Sequence, residues 1–95
     1  MSGITREELA QLPKDRNVIL LDVRSAEEFA EGSIPGTRNV PPDRLDDEVV
    51  PRDALVVTVC NHGGPRSQGA AKSLRERGID AMFLVGGVKG PKRGH

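Results

Sequence analysis

The stretch "CNHGGPRSQGAA", Cys60 to Ala71, joins the single cysteine of the chain to a glycine pair, an arginine and a predicted helix start. A glycine-rich turn from strand to helix can aim successive backbone amides at one point, and the helix N-terminus adds free donors and a positive dipole end. These groups stabilise a thiolate, so they lower the pKa of a thiol beside them. We therefore predict that Cys60 is an ionised nucleophile in an anion-binding loop.

The residues after the cysteine are predicted to bind the substrate. They are Asn61, His62, Gly63, Gly64, Pro65, Arg66 and Ser67. The glycines allow the turn, proline is tolerated at a first helical position, and the arginine fork matches two oxygens of a sulfonate or phosphate. The alternative is that Cys60 is a small buried hydrophobic residue, which explains neither the glycines nor the arginine.

Two of these residues have two interpretations each. His62 is either an acid or base that acts near neutral pH, or a solvent-facing residue of the turn, which we favour. Ser67 either donates a hydrogen bond to the sulfur or lies on the solvent side of the helix. With Asn61, His62 is expected to form the rim of the pocket and to affect the choice of donor.

Capping motifs predict where the short helices begin. Thr5 to Glu8 and Ser25 to Glu28 have the S/T-x-x-E form of a capping box, so helices are expected to run from there to about residues 12 and 30. Glu28 is interpreted as a capping carboxylate rather than a catalytic acid. A longer helix is predicted over 66–77, and a further short one within 41–49.

Three short apolar runs predict buried parallel strands: "VILLD" at 18–22, "ALVVTV" at 54–59 and "AMFLV" at 81–85. Their alternation with helices predicts an α/β fold, with a mainly parallel central sheet flanked by helices on both faces. Ligands of such sheets bind beyond the carboxyl ends of the strands. Asp22, Cys60 and the pair Gly86 and Gly87 are therefore expected at one edge.

Asp22 ends a predicted strand at that edge, and Arg24 follows it. They are predicted to support the site, and an alternative of equal weight is a structural ion pair.

Composition limits the classes of protein. A chain of 95 residues predicts one domain over 1–95, and the balance of 14 Lys and Arg against 14 Asp and Glu gives no argument for nucleic-acid or membrane binding. A lone cysteine, with no signal segment or membrane-spanning run in the sequence, predicts a cytoplasmic protein in a reducing compartment. Residues 89–95 are predicted to form a solvated tail.

Two segments, "LLDVRSAEEFAEGSIPGTRNVP" and "VTVCNHGGPRSQGAAKSLRERGIDAMFLVGGVKG", resemble the single-domain rhodanese family over roughly Ile19 to Gly90. The first carries D-V-R, E-E-F and G-x-I-P-G-x-x-N, and the second carries the active loop, its helix and G-G-[IV]. The resemblance implies a rhodanese-like fold. It also implies sulfur transfer, in which Cys60 takes sulfur from an oxyanion donor such as thiosulfate as a persulfide. Cyanide, a thiol or a protein would accept it, without a metal or organic cofactor.

Two other functions stay open. Arg66 stands six positions after Cys60, whereas the usual sulfurtransferase loop has five, and the wider spacing is similar to rhodanese-fold dual-specificity phosphatases and arsenate reductases. Those phosphatases typically have histidine before the cysteine and a glutamate in the loop, where this chain has Val59 and no loop acid. The remaining alternative is a non-catalytic rhodanese-like interaction module. Ser33 also stands where many family members have histidine.

Overall fold

The computed structural model describes residues 2–90 and places five parallel strands in one sheet. The strands are β1 Gly3–Ile4, β2 Val18–Asp22, β3 Arg38–Asn39, β4 Leu55–Val59 and β5 Ala81–Leu84. Their order across the sheet is β1-β5-β4-β2-β3. The three predicted apolar runs are thus its central strands. Most of the predicted tail, from residue 91 onward, lies outside the described residues.

Four helical segments connect these strands. They are α1 Arg6–Ala10, α2 Ala26–Glu31, a 3-10 helix Pro42–Asp47 and α3 Pro65–Glu76. Both predicted capping boxes form, at Thr5 with Glu8 and at Ser25 with Glu28. The helix α1 ends at Ala10, two residues before the predicted end. With 12 residues α3 is the longest described helix, and none between residues 2 and 90 has the length and apolar character that crossing a bilayer requires.

Helices cover both faces of the sheet, as predicted. On one face α3 packs through Ala71 and Leu74, and the 3-10 helix packs through Leu45, all of them buried. On the other face Leu9 of α1 and Leu12 beyond it pack against a second buried cluster. Every residue of β4 is buried, so this strand lies in the centre of the molecule. Its last side chains therefore have fixed positions on which a site can be built.

The carboxyl ends of the strands meet at one edge, which confirms the predicted placement. The amide of Val23, just beyond β2, donates over 2.9 Å to the carbonyl oxygen of Val59, the last residue of β4. The amide of Val88, beyond β5, donates to Cys60 O over 2.8 Å. The segments that leave three neighbouring strands are thus hydrogen-bonded to one another around Cys60.

Candidate active site

Cys60 immediately follows β4, and only 3% of it is exposed. Its sulfur lies 3.1 Å from Ser67 Oγ, and the backbone amides of Ser67, Gly64 and His62 also donate to it. Burial by itself raises the pKa of the Cys60 thiol, but these four hydrogen bonds outweigh it and the pKa lies below its ordinary value. The loop therefore favours a thiolate, and the buried sulfur is not simply a packed hydrophobic group.

Ser67 is the third residue of α3 and is fully buried, so its interpretation as a solvent-facing serine is wrong. Thr58, two residues before Cys60 on β4, donates its hydroxyl to Ser67 O over 2.7 Å. This bond joins the central strand to the first turn of the helix and holds Ser67 beside the sulfur. Thr58 was missed as a supporting residue. Its signal was that it is the one polar residue in an apolar strand.

The two loop glycines have different roles. Gly63 has φ of +75°, and a Cβ there would lie 2.8 Å from Leu84 O and 2.9 Å from Gly86 N. Gly64 has φ of −89°, and a Cβ there would meet no atom within 4 Å outside its two neighbouring residues. The positive φ that favours glycine therefore occurs at Gly63 and not at Gly64. Gly64 contributes its amide, which donates to the sulfur.

The turn after β5 supports the backbone of the loop. Gly87 has φ of +59°, and a Cβ at this position would overlap Cys60 O and lie 2.7 Å from Asn61 O. The amides of Val88 and Lys89 donate to these two carbonyl groups, each over 2.8 Å. The close approach of a glycine thus allows two backbone hydrogen bonds that fix where the loop begins.

His62 and Arg6 add side-chain contacts to the same turn. His62 is exposed, as expected, and its Nδ1 lies 2.9 Å from Gly90 O. Arg6, the first residue of α1, donates through Nη2 to Gly87 O over 2.8 Å and to Val88 O over 3.2 Å. The N-terminal helix therefore helps to hold the segment that supports the active loop.

Asp22 and Arg24 form an ion pair in which Arg24 Nη2 lies 2.8 Å from Asp22 Oδ2. Both side chains are buried, with 0% of Asp22 and 2% of Arg24 exposed. Ser33 also donates to Asp22 Oδ2, over 2.6 Å. Burial raises the pKa of Asp22, but the hydrogen bonds from Arg24 and Ser33 outweigh it and leave the pKa below its ordinary value. Arg24 Nη1 donates to Asn61 Oδ1 over 3.0 Å. The pair is thus structural and also supports the loop, which unites the two interpretations.

Arg66 does not present an open fork to the pocket, because Glu28 of α2 occupies it. Nη1 donates to Oε1 over 2.7 Å and Nη2 to Oε2 over 3.1 Å, while Asn61 Nδ2 donates to Oε2 over 3.2 Å. The hydrogen bonds from Arg66 and from the Ser25 amide lower the pKa of Glu28 to about 2. Glu28 forms the predicted capping box and also contacts the loop. Sequence reasoning missed this second role.

An open cavity of about 260 Å³ adjoins the sulfur. Its lining residues are Cys60, Asn61, His62, Gly64, Pro65 and Arg66. Gly63 and Ser67 lie behind this lining, where they shape the loop. A larger groove of about 520 Å³ runs beside α1 and β2, but aliphatic side chains dominate its lining, which includes no thiol or hydroxyl group. Chemistry rather than size therefore identifies the smaller cavity as the candidate active site.

A family model described as Rhodanese-like domain matches residues 5–93. The chain belongs to the rhodanese-like domain family. A rhodanese-like domain protein from Staphylococcus aureus has the same fold, with a TM-score of 0.80 and 33% sequence identity over 97% of this chain and 94% of that one. The predicted family and fold are therefore confirmed.

Two relatives of this rhodanese-like domain have names that describe sulfur transfer. The thiosulfate sulfurtransferase GlpE of Pseudomonas putida (strain GB-1) is 33% identical over 86 residues, which cover 88% of this chain and 77% of that protein. The tRNA sulfurtransferase of Desulfurococcus amylolyticus is 38% identical over 82 residues, or 86% of this chain. The chain spans only 16% of that second relative. Both of these names describe sulfur transfer.

Proposed function

We propose that this domain, over residues 1–95, is a sulfurtransferase that carries sulfane sulfur as a persulfide on Cys60. The observation that carries the proposal is the convergence of three backbone amides and the Ser67 hydroxyl on a single buried sulfur. Hydrogen-bond donors in these positions stabilise the thiolate before the reaction and the negatively charged persulfide after it. The sulfurtransferase names of the relatives support the same chemistry.

The first half of the reaction loads the sulfur. The Cys60 thiolate attacks the outer sulfur of a donor such as thiosulfate, so a bond forms between Sγ and that sulfur. The bond between the outer sulfur and the sulfonate sulfur breaks, and its electron pair leaves with sulfite. The negative charge of the thiolate moves to the outer sulfur of the persulfide, so no proton needs to be transferred.

The second half unloads the sulfur. Cyanide or a thiolate attacks the outer sulfur, the bond to Sγ breaks, and the electron pair returns to Cys60 as the thiolate. Cyanide gives thiocyanate, and a small thiol or a protein thiol becomes a persulfide. The cycle needs no metal or organic cofactor, and we propose no nucleic-acid or membrane partner. A nucleophilic thiol that must stay reduced fits a cytoplasmic location.

The second candidate function is phosphate or arsenate chemistry, favoured by the six-residue spacing from Cys60 to Arg66. A phosphatase needs an acid to protonate the leaving oxygen. The carboxylate that contacts the loop belongs to Glu28, and with a pKa of about 2 it carries almost no proton at neutral pH. This argues for sulfur transfer, whose leaving group departs as a stable anion.

The test compares three assays on the same protein. Thiosulfate should add the mass of one sulfur atom to the chain, cyanide should then release thiocyanate, and Cys60→Ser should abolish both. Hydrolysis of p-nitrophenyl phosphate should be far slower. A sulfur adduct that persists in the variant would reject Cys60 as the carrier. Phosphate hydrolysis without sulfur transfer would favour the second candidate, and loss of all three activities in the parent protein would favour the non-catalytic module.

A further inference from the structure

Glu28 has more contacts than a helix cap or a simple ion pair requires. Its Oε1 accepts hydrogen bonds from the Ser25 amide and hydroxyl, each over 3.1 Å, and from Arg66 over 2.7 Å. Its Oε2 accepts from the other Arg66 nitrogen and from Asn61. Two of these contacts belong to the first turn of α2 and three to the active loop. The carboxylate is thus held beside the cavity by its own helix.

Arg66 is the one residue lining the cavity that carries a permanent charge. The bidentate contact with Glu28 uses both terminal nitrogens of its guanidinium, which are the donors that a sulfonate group would need. The pKa of about 2 keeps Glu28 ionised at any ordinary assay pH. Glu28 therefore neutralises the charge of Arg66. Because Cys60 is a thiolate, the reaction centre carries a net negative charge.

We propose that Glu28 is a specificity-determining residue that makes the site favour sulfane-sulfur donors with one negative charge over donors with two. A dianionic donor such as thiosulfate must either displace a carboxylate anchored by Ser25 or place its second charge beside Glu28 and the thiolate. A monoanionic donor, such as a thiosulfonate, lacks that second charge. The inference rests on the proposed sulfur transfer and names the class of donor that the same site takes.

The test uses two donors of nearly equal size that differ by one charge. Thiosulfate and methanethiosulfonate both carry the transferable sulfur on a sulfonyl sulfur, and a methyl group in the second replaces a charged oxygen in the first. Each reacts with the Cys60 thiolate to give the same persulfide, releasing sulfite or methanesulfinate with the electron pair of the broken bond. The measured quantity is the ratio of their kcat/KM values.

Glu28→Gln removes the charge and keeps a side chain that can still cap the helix. Without the carboxylate, the charge of Arg66 is free to attract the donor. We therefore expect kcat/KM for thiosulfate to rise about tenfold, mainly through a lower KM. The value for methanethiosulfonate should change less than about threefold. Glu27→Gln is the matched control, because it removes the same charge from the exposed neighbouring position of α2. It should leave the ratio unchanged.

The outcomes separate this inference from the function on which it rests. Absence of transfer from both donors to the parent protein rejects the proposed function. Transfer from both donors with an unchanged ratio in a folded Glu28→Gln variant, or an equal loss for both, rejects only the role of Glu28 in specificity. If that variant does not fold, the parent protein decides: added salt should raise the ratio of thiosulfate to methanethiosulfonate, because it screens repulsion. A fall in the ratio overturns the proposal.

Discussion

The hydroxyl of Ser67 lies 3.1 Å from the sulfur of Cys60, joining the first turn of α3 to the end of β4. With a neutral thiol, the sulfur donates to this hydroxyl. After ionisation, the hydroxyl turns and donates to the thiolate. Because the bond is stronger to the charged form, it lowers the pKa of the thiol.

Ser67→Ala should therefore raise the pKa of Cys60, since the variant loses a hydrogen bond that is stronger to the thiolate than to the thiol. The measurement is the rate of alkylation by iodoacetamide as a function of pH, whose midpoint reports the thiolate. Ser73→Ala, on the same helix but away from the sulfur, should leave the midpoint in place. Equal midpoints in the two variants would contradict the assigned role of Ser67.

The decrease in the free energy of unfolding at acidic pH should depend on Glu28. Its pKa is lowered from an ordinary 4.5 to about 2, so its stabilising contribution is complete above pH 4.5 and is lost as the pH falls through about 2. The free energy of unfolding in urea should therefore differ between the parent protein and Glu28→Gln at pH 6. The difference should narrow steadily below pH 4.5 and close near pH 2. A difference that is constant over this range would show that the ion pair contributes no charge-dependent stability.

Gly87→Ala should destabilise the fold by more than about 2 kcal/mol, because the new Cβ overlaps the Cys60 carbonyl and the residue has φ of +59°. The matched substitution is Gly69→Ala on α3, where the Cβ meets no atom within 4 Å. Alanine there should stabilise the protein by about 0.5–1 kcal/mol through helix propensity. Chemical denaturation measures both. Similar stabilities for the two variants would contradict the close packing of the turn against the loop.

The amide of Gly64 provides a test of the long loop. Deleting Gly64 or deleting Pro65 would each place Arg66 at the usual spacing of five positions after Cys60. Deletion of Gly64, however, puts a proline, which has no amide hydrogen, directly after Gly63. We expect the alkylation midpoint of the Gly64 deletion to lie at a higher pH than that of the Pro65 deletion, because the first variant lacks an amide hydrogen bond to the sulfur. Turnover of thiosulfate should be about tenfold lower in the Gly64 deletion than in the Pro65 deletion.

Circular dichroism must first show that both deletion variants retain the fold. Indistinguishable midpoints in two folded variants would remove the Gly64 amide from the set of groups that stabilise the thiolate. If the parent protein hydrolyses a phosphate ester faster than either variant, the longer loop instead serves to accommodate a larger oxyanion.

Much of the fold was predictable because its signals are local. The apolar runs that became β2, β4 and β5 are too short for helices and too apolar for exposed strands, and both capping boxes lie within four consecutive residues. The meeting of Asp22 and Cys60 at one edge followed from the geometry of parallel sheets. These predictions needed no knowledge of which distant side chains touch.

The parts of the site that were missed depend on such distant contacts. Glu28 and Arg66 are 38 positions apart, and each has a complete local explanation, as a helix cap and as a loop cation. The burial of Ser67 follows from the packing of one face of α3 against β4 and β5. Similarly, the sequence "GG" does not indicate which of Gly63 and Gly64 has a positive φ.

The support of the active loop by the turn after β5 has a consequence for evolution. The hydrogen bonds of Val88 and Lys89 reach backbone carbonyls, which every amino acid possesses, so they place no demand on the loop side chains. The exposed positions of His62 and Pro65 can therefore accumulate substitutions, and a descendant could adopt a new donor while inheriting an intact nucleophile. A combinatorial library randomised at these two positions would start from a reactive cysteine in nearly every clone.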